Sequence, residues 1–280
     1  MKLINTGKAI RLGRILHPVT QRAAVVAFDH GVHLGAIPGN IHPGEMLHQL
    51  ADAGADAFLV GPGVARSFSD VFRGPGAPGF ILRLDWTNRW RGENMLGSSE
   101  GHGRLIASVE DALRMGADAV LMYMFIGYQD PDVEAQQVED VARITQACER
   151  WGMGCIIEPM PRGQRVGHEE YNPEYIQMVT RMACELGADL LKTDYSGDSE
   201  SFSAVVDASF RPVLIAGGPK TETQRQALEM VRGAIDAGAS GMFIGRNVFQ
   251  SEDPVGMMDV MRRIIHENLS VDSAIDVLEK

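Results

Sequence analysis

The sequence predicts an α/β fold, a TIM (β/α)8 barrel, and three observations carry that prediction. One stretch of punctuation recurs: "LADAGADAFLVGPG" (50–63), "ALRMGADAVLMYM" (112–124), "ACELGADLLKTD" (183–194) and "AIDAGASGMFIGRN" (234–247). Each is the tail of an amphipathic helix, then Gly-Ala-Asp or Gly-Ala-Ser, then an apolar run. The runs are short and apolar on both faces, as strands of a buried parallel sheet are. Eight such runs fit in the 280 residues, with helical patterns between most of them, which matches an eightfold βα barrel of roughly 250 residues. An open doubly wound sheet is the alternative. It usually has fewer strands, and no GxGxxG follows the first run.

Taken in order, the strands fall near 23–28, 56–60, 80–84, 119–124, 153–158, 189–193, 212–216 and 241–245. Gly54, Gly116, Gly187 and Gly238 end the helices before four of them, where a positive φ costs least without a Cβ. Asn172 caps the helix before the sixth strand, with Pro173 at its first position. Residues 1–280 read as one barrel domain, with 1–20 as an N-terminal flank and 254–280 as a C-terminal helical segment. In that segment Met257, Met258, Met261 and Ile264 or Ile265 share one side, to pack on the barrel or on another subunit. The methionines there and in "LMYMF" (121–125) are read as core filler rather than ligands.

Composition narrows the function. The chain is 45% hydrophobic and 22% charged, with formal net charge −11, which disfavours a nucleic-acid partner. Cys148, Cys155 and Cys184 show no CxxC spacing and are expected as buried thiols of a reducing compartment. The N-terminus has no apolar signal segment, and no run is long enough to span a membrane. A cytoplasmic protein without membrane association is expected.

Chemistry is sought at the C-terminal ends of the strands, where barrel active sites lie. There the first strand stops at Asp29 and His30, the third at Arg83, Asp85 and Trp86, and the fourth at Tyr123. The fifth stops at Glu158 and Arg162, the seventh at Gly217, Gly218 and Lys220, and the eighth at Gly245, Arg246 and Asn247. The sixth carries a lysine, Lys192, inside its apolar run. Such a charge is costly unless it is paired, neutral or working. A neutral amine there attacks a carbonyl to form a Schiff base. The bland alternative pairs Lys192 with Asp29 or Glu158 for structure alone. Glycines after the last two strands let a backbone approach a phosphate, with Arg246 adding a charge; tight turns without a ligand are the alternative. No metal is expected, because the spacing of His30, His33, His42 and His48 matches no zinc pattern. His33 is expected as a solvated loop residue.

Four motifs then carry a family resemblance: "FDHGVHLGAIPG", "ELGADLLKTDYSGD", "IAGGPKT" and "GASGMFIGRNVFQSEDP". Over roughly residues 20–268 the chain resembles the archaeal-type class I fructose-bisphosphate aldolases. That family also holds the aminodideoxyheptulosonate synthases and the thiolase that degrades phosphorylated autoinducer-2. The resemblance implies a Schiff base on Lys192 without metal or organic cofactor, Asp29 and His30 lining the reacting centre, and a substrate phosphate held by Gly217, Gly218, Gly245 and Arg246. It implies a ring-based homo-oligomer, often a decamer. One departure stands out. The family's aldolases carry a proton-shuttling tyrosine just before Pro-Arg-Gly, and here "EPMPRG" has Met160 in that place. Methionine neither donates nor accepts a catalytic proton, so Glu158, Tyr123 and Asp29 become the acid–base candidates. Arg162 and His30 join the expected substrate-binding residues. The expected activity is class I aldol cleavage or formation in a small phosphorylated ketose or keto-phosphate. The alternatives are acyl or ketol transfer (a thiolase using coenzyme A, or a heptulosonate-type synthase), a lyase with a metal on Glu158 and Asp85, and a barrel that only binds sugar phosphate.

Overall fold

The computed structural model describes residues 5–99 and 101–280. Eight parallel strands close into a barrel: β1 (Ala23–Ala27), β2 (Ala57–Val60), β3 (Gly79–Arg83), β6 (Ala119–Ile126), β7 (Gly154–Pro161), β8 (Leu190–Thr193), β9 (Val213–Ala216) and β10 (Gly241–Ile244). They pair in chain order, and β10 closes on β1 through Ala23 opposite Gly241. All eight predicted strands are present within two or three residues at their ends. Two further strands are not foreseen from the sequence, β4 (Asp85–Thr87) and β5 (Gly103–Leu105), which form a small antiparallel hairpin over the end of β3. Each has three residues, too few for a period-two pattern to emerge.

Alternation assigns each strand residue a side. Val26, Phe58, Leu82, Val120, Ile157, Leu191, Ile215 and Met242 belong to the cluster shared with the surrounding helices. Val25, Leu59, Ile81, Leu121, Ile156, Leu190, Leu214 and Phe243 form a second cluster, which fills the barrel interior. The side chains two residues further along the interior series line the barrel mouth.

The repeated Gly-Ala-Asp has a structural cause. Asp56 Oδ2 accepts from Ala24 N at 2.6 Å, Asp118 Oδ2 from Phe80 N at 2.9 Å, and Asp189 Oδ2 from Cys155 N at 3.0 Å. Each aspartate thus satisfies the donor of the second residue of the preceding barrel strand. In the Gly-Ala-Ser copy Ser240 O accepts from Ala23 N of the next strand around the barrel, as Asp56 O does from Gly79 N and Asp118 O from Gly154 N. The flanks staple the same end. Lys8, on the helix Thr6–Leu12, pairs with Asp189 and Glu149, and His266 Nε2 stands 2.8 Å from Asp56 Oδ2. The C-terminal helix Pro254–Glu267 buries Met257, Met258, Met261, Ile264 and Ile265 against β1 and its neighbouring helices. All three cysteines are buried and free. Among the described residues no helix is long and apolar enough to cross a membrane.

Candidate active site

The interior alternation continues past the apolar layers into charge. Ala27 is followed on the same face by Asp29, Ile81 by Arg83, Leu121 by Tyr123, Ile156 by Glu158, and Leu190 by Lys192. These five converge at the C-terminal end of the barrel, beneath a cavity of about 240 Å³. Asp29, Tyr123, Glu158 and Lys192 line that cavity.

Lys192 Nζ stands 2.8 Å from Glu158 Oε1 and 5.0 Å from the centre of the Phe243 ring. The other oxygen of Glu158 accepts from Arg83 Nη2 at 2.9 Å. Arg83 is completely buried and holds two further carboxylates: its Nε donates to Asp29 Oδ2 at 2.7 Å and its Nη1 to Asp85 Oδ1 at 3.1 Å. Its guanidinium also stacks 4.0 Å from the Tyr123 ring centre. One planar fork therefore organises three acids, a geometry that lysine cannot reproduce.

This hub sets the protonation of its neighbours. Burial would raise the Asp29 carboxyl, but Arg83, His33, Lys192 and His30 together outweigh it and hold Asp29 well below the usual range. Burial raises Asp85 in spite of Arg83. Burial also raises the Tyr123 phenol well above its ordinary value, against the pull of Arg83 and with help from Glu158 and Asp29. The Tyr123 hydroxyl accepts a hydrogen bond from Trp90 Nε1 at 3.0 Å. Burial takes His30 down to about 4 despite Asp29, and Arg246 and Lys192 add to the shift. His30 is thus uncharged at neutral pH, and its buried Nδ1 has no hydrogen-bond partner.

Across the cavity lie Gly217, Gly218, Gly245 and Arg246. Two of these glycines are sterically required. A Cβ on Gly217 would come within 2.6 Å of Ile244 Cγ2, and one on Gly245 within 2.3 Å of Ala27 O and 2.5 Å of His30 Cε1. Arg246 Nη2 donates to Gly218 O at 2.7 Å, while its Nε is buried without a partner. Arg246 thus brings an incompletely satisfied cation to a wall where backbone approaches closely.

The third wall holds Arg162 and Asp194. Arg162 Nη2 lies 2.8 Å from Asp194 Oδ2, and its Nε is 3.4 Å from Glu170 Oε2. Arg162 lines the cavity with its charge already balanced by two acids.

The structure thus brings together Lys192, Asp29, Glu158, Tyr123, His30, Arg162, Gly217, Gly218, Gly245 and Arg246, all named from sequence, around one cavity. Lys220 and Asn247 serve the loops instead: Lys220 Nζ donates to Gln250 O, and Asn247 Nδ2 to Gly217 O. The expected solvated loop at His33 is corrected. His33 is buried in the single-turn helix His30–Leu34, which returns it over Asp29, with Nε2 at 3.9 Å from Asp29 Oδ2. A metal held by Glu158 and Asp85 would have to displace Arg83, which already holds both. Sequence reasoning assigned no role to Arg83, although "FILRL" raises the same question as Lys192, a charge in an apolar run. Asp194 and Trp90 were missed outright. Asp194 had a signal, since it follows Lys192 at period two.

The chain is similar to known aldolases and synthases over nearly its full length. A 2-amino-3,7-dideoxy-D-threo-hept-6-ulosonate synthase of Halobacterium salinarum is 34% identical over 98% of this chain and 97% of its own. An uncharacterised aldolase of Saccharolobus solfataricus is 36% identical over 98% of this chain and 99% of its own. The solved structure of an archaeal fructose-1,6-bisphosphate aldolase, its catalytic lysine covalently bound to the carbinolamine intermediate of the substrate, superposes with a TM-score of 0.79. It is 29% identical over 92% of this chain and 99% of its own. Residues 23–251 match the DeoC/LacD family aldolase pattern, and with a closed eight-stranded barrel presenting a buried lysine at its mouth, the chain belongs to that aldolase family.

Proposed function

We propose that the protein is a class I aldolase that cleaves or forms a carbon–carbon bond in a small phosphorylated keto compound through a Schiff base on Lys192. The observation that carries this reading is the 2.8 Å contact between Lys192 Nζ and Glu158 Oε1 inside the cavity. An ammonium cannot attack a carbonyl. Glu158 stands where it can take the proton from Lys192 and return it when the carbinolamine loses water. Asp29, held as an anion by Arg83, stabilises the iminium that results. Tyr123 stays protonated, and with Trp90 donating to its oxygen it has its hydroxyl proton left to give as a hydrogen-bond donor. The iminium draws the electron pair of the adjacent carbon–carbon bond, leaving an enamine; protonation at carbon and hydrolysis then free the amine. Gly217, Gly218, Gly245 and Arg246 take the phosphate, and His30, uncharged, faces the same wall. Remote phosphate binding positions the reacting carbons. Arg162 shapes the substrate's other side. The reading requires no metal and includes the ring-based homo-oligomer implied by the family resemblance, which light scattering would test.

The synthase relative supports a second reading on the same residues, transfer of a ketol unit to another carbonyl. Both begin with the same adduct. Incubation with dihydroxyacetone phosphate, borohydride reduction and peptide mapping should place a stable secondary amine on Lys192. No adduct across a panel of keto-phosphates would end both readings.

A further inference from the structure

The cavity contains an acid that the Schiff-base chemistry above leaves without a task. Asp194 lies two residues beyond Lys192 at the end of β8, so alternation sends both side chains to the barrel interior, and both line the cavity. The side chain of Asp194 is nearly fully buried. Its sole ion-pair partner among the described residues is Arg162, 2.8 Å away but out of hydrogen-bonding alignment, so Asp194 Oδ2 has no hydrogen-bond partner. Two residues along a strand span about 6.6 Å. Both side chains therefore face the one cavity into which a substrate's carbon chain would extend from the imine.

Four other acid–base groups that line the cavity are otherwise committed. Both oxygens of Glu158 are occupied, by Lys192 and by Arg83. Asp29 is gripped by Arg83 and held as a poor base. The Tyr123 hydroxyl is engaged by Trp90 and resists ionisation. His30, at about 4, is a weak base.

We propose that Asp194, positioned by Arg162, is the acid–base residue that moves the substrate's proton at the carbon adjacent to the imine. The inference rests on the Schiff-base reading. In cleavage, the Asp194 carboxylate takes the proton of the hydroxyl one carbon further out, as the bond between that carbon and the imine's neighbour breaks and its electron pair moves into the iminium. That makes an aldehyde, an enamine and a neutral carboxylic acid. The aldehyde leaves, and the acid returns its proton to the enamine carbon, restoring the iminium and the carboxylate. No oxidant or further reactant is needed. Burial supports this role, because it lifts Asp194 to about 6 against the pull of Arg162, with Glu158 and Glu170 adding to the rise and Tyr171 also facing it. A carboxyl near that value exchanges protons in both directions at neutral pH.

The test uses half of the reaction and needs no knowledge of the aldehyde partner. Wild-type protein with dihydroxyacetone phosphate in deuterium oxide should exchange one carbon-bound proton through the enamine, read by NMR, at a rate that rises with pH through about 6. Asp194→Asn should keep the borohydride adduct on Lys192 and lose exchange by roughly 10²-fold or more, with no pH step. Asp194→Glu should recover part of the rate. An adduct with exchange within about threefold of wild type in Asp194→Asn would overturn the proposal. So would loss of the adduct in that variant alone, because Asp194 would then serve addition at the carbonyl. If Asp194→Asn does not fold, Asp194→Glu decides: exchange with a displaced pH step supports the role, and an adduct without exchange recovery overturns it. No adduct in wild type would instead remove the Schiff-base reading.

Discussion

Lys192 and Arg83 hold opposite oxygens of one carboxylate: Lys192 Nζ meets Glu158 Oε1 at 2.8 Å, and Arg83 Nη2 meets Glu158 Oε2 at 2.9 Å. Glu158 is therefore shared between a cation that can give up its proton and one that cannot. This asymmetry leads to the first prediction. Glu158→Gln preserves the shape and loses the proton acceptor. The rate of trapped-adduct formation should fall by roughly 10²-fold or more, while the mass of the final adduct stays the same. Time-resolved borohydride quenching measures it, and wild-type kinetics in the variant would refute the assignment.

Arg83 carries a heavier structural load. Its removal leaves Asp29, Asp85 and Glu158 buried around a missing cation. Breaking one buried pair costs about 3–5 kcal/mol. Arg83→Met should lose at least that much in urea unfolding at pH 7 and lose adduct formation as well. Arg83→Lys should fall between, because it restores one charge without the fork. A stability loss under about 1 kcal/mol in Arg83→Met would contradict a hub role.

How much of this was legible in the sequence depends on the range of the interaction. The strands were legible because each is a short apolar run between glycine and a polar stop, a local pattern. Lys192 was legible because a charge interrupts such a run. Arg83 interrupts one equally, in "FILRL", yet its role needs three carboxylates that arrive from β1, β7 and the end of its own strand. No local rule shows that convergence. His33 failed for the opposite reason. Its neighbours read as a loop, and only the helical turn after β1 carries it back into the barrel mouth. The aspartates of Gly-Ala-Asp were visible as a repeat, but their reason, capping the preceding strand, lies in the barrel's register.

Arg246 and the glycines opposite it predict a phosphate dependence. Arg246→Ala removes the cation whose Nε lacks a partner at that wall. A charge-assisted hydrogen bond contributes about 1.5–3 kcal/mol, so KM for dihydroxyacetone phosphate should rise roughly 10- to 100-fold. With unphosphorylated dihydroxyacetone the variant should differ little from wild type. Equal losses on both compounds, read as proton-exchange kinetics, would show that Arg246 does not hold phosphate.

Gly245→Ala tests the same wall by volume. Its Cβ would meet Ala27 O at 2.3 Å and His30 Cε1 at 2.5 Å, and the carbonyl cannot yield without moving β1. Overpacking of this kind costs about 1–3 kcal/mol. The variant should melt lower and bind keto-phosphate more weakly, whereas Gly63→Ala, with open space around its Cβ, should do neither. Calorimetry with and without dihydroxyacetone phosphate separates the two effects, and an unchanged Tm in Gly245→Ala would contradict the close approach.

Asp29 and Asp194 pull the pH dependence of stability in opposite directions. Asp29 is held well below the carboxylate range by Arg83. Its contribution is present above the unfolded value, near 4, and is lost as pH falls through the depressed folded value. Asp194 is lifted to about 6. Between pH 4 and 6 the folded state therefore binds more protons at Asp194 than the unfolded state does. Stability must then fall as pH rises through that window, and level off above it. The window spans about two units, and each unit corresponds to about 1.4 kcal/mol, so the drop is on the order of 2 kcal/mol after relaxation around the site. Asp194→Asn removes this group and leaves Asp29 in place. The stability of wild type relative to the variant should fall from pH 4 to pH 6 and hold constant from pH 7 to 8, whatever its absolute offset. Urea midpoints at pH 4, 5, 6, 7 and 8 measure the difference directly. A difference independent of pH would mean that Asp194 titrates alike in the folded and unfolded states, and that Arg162 fully offsets its burial.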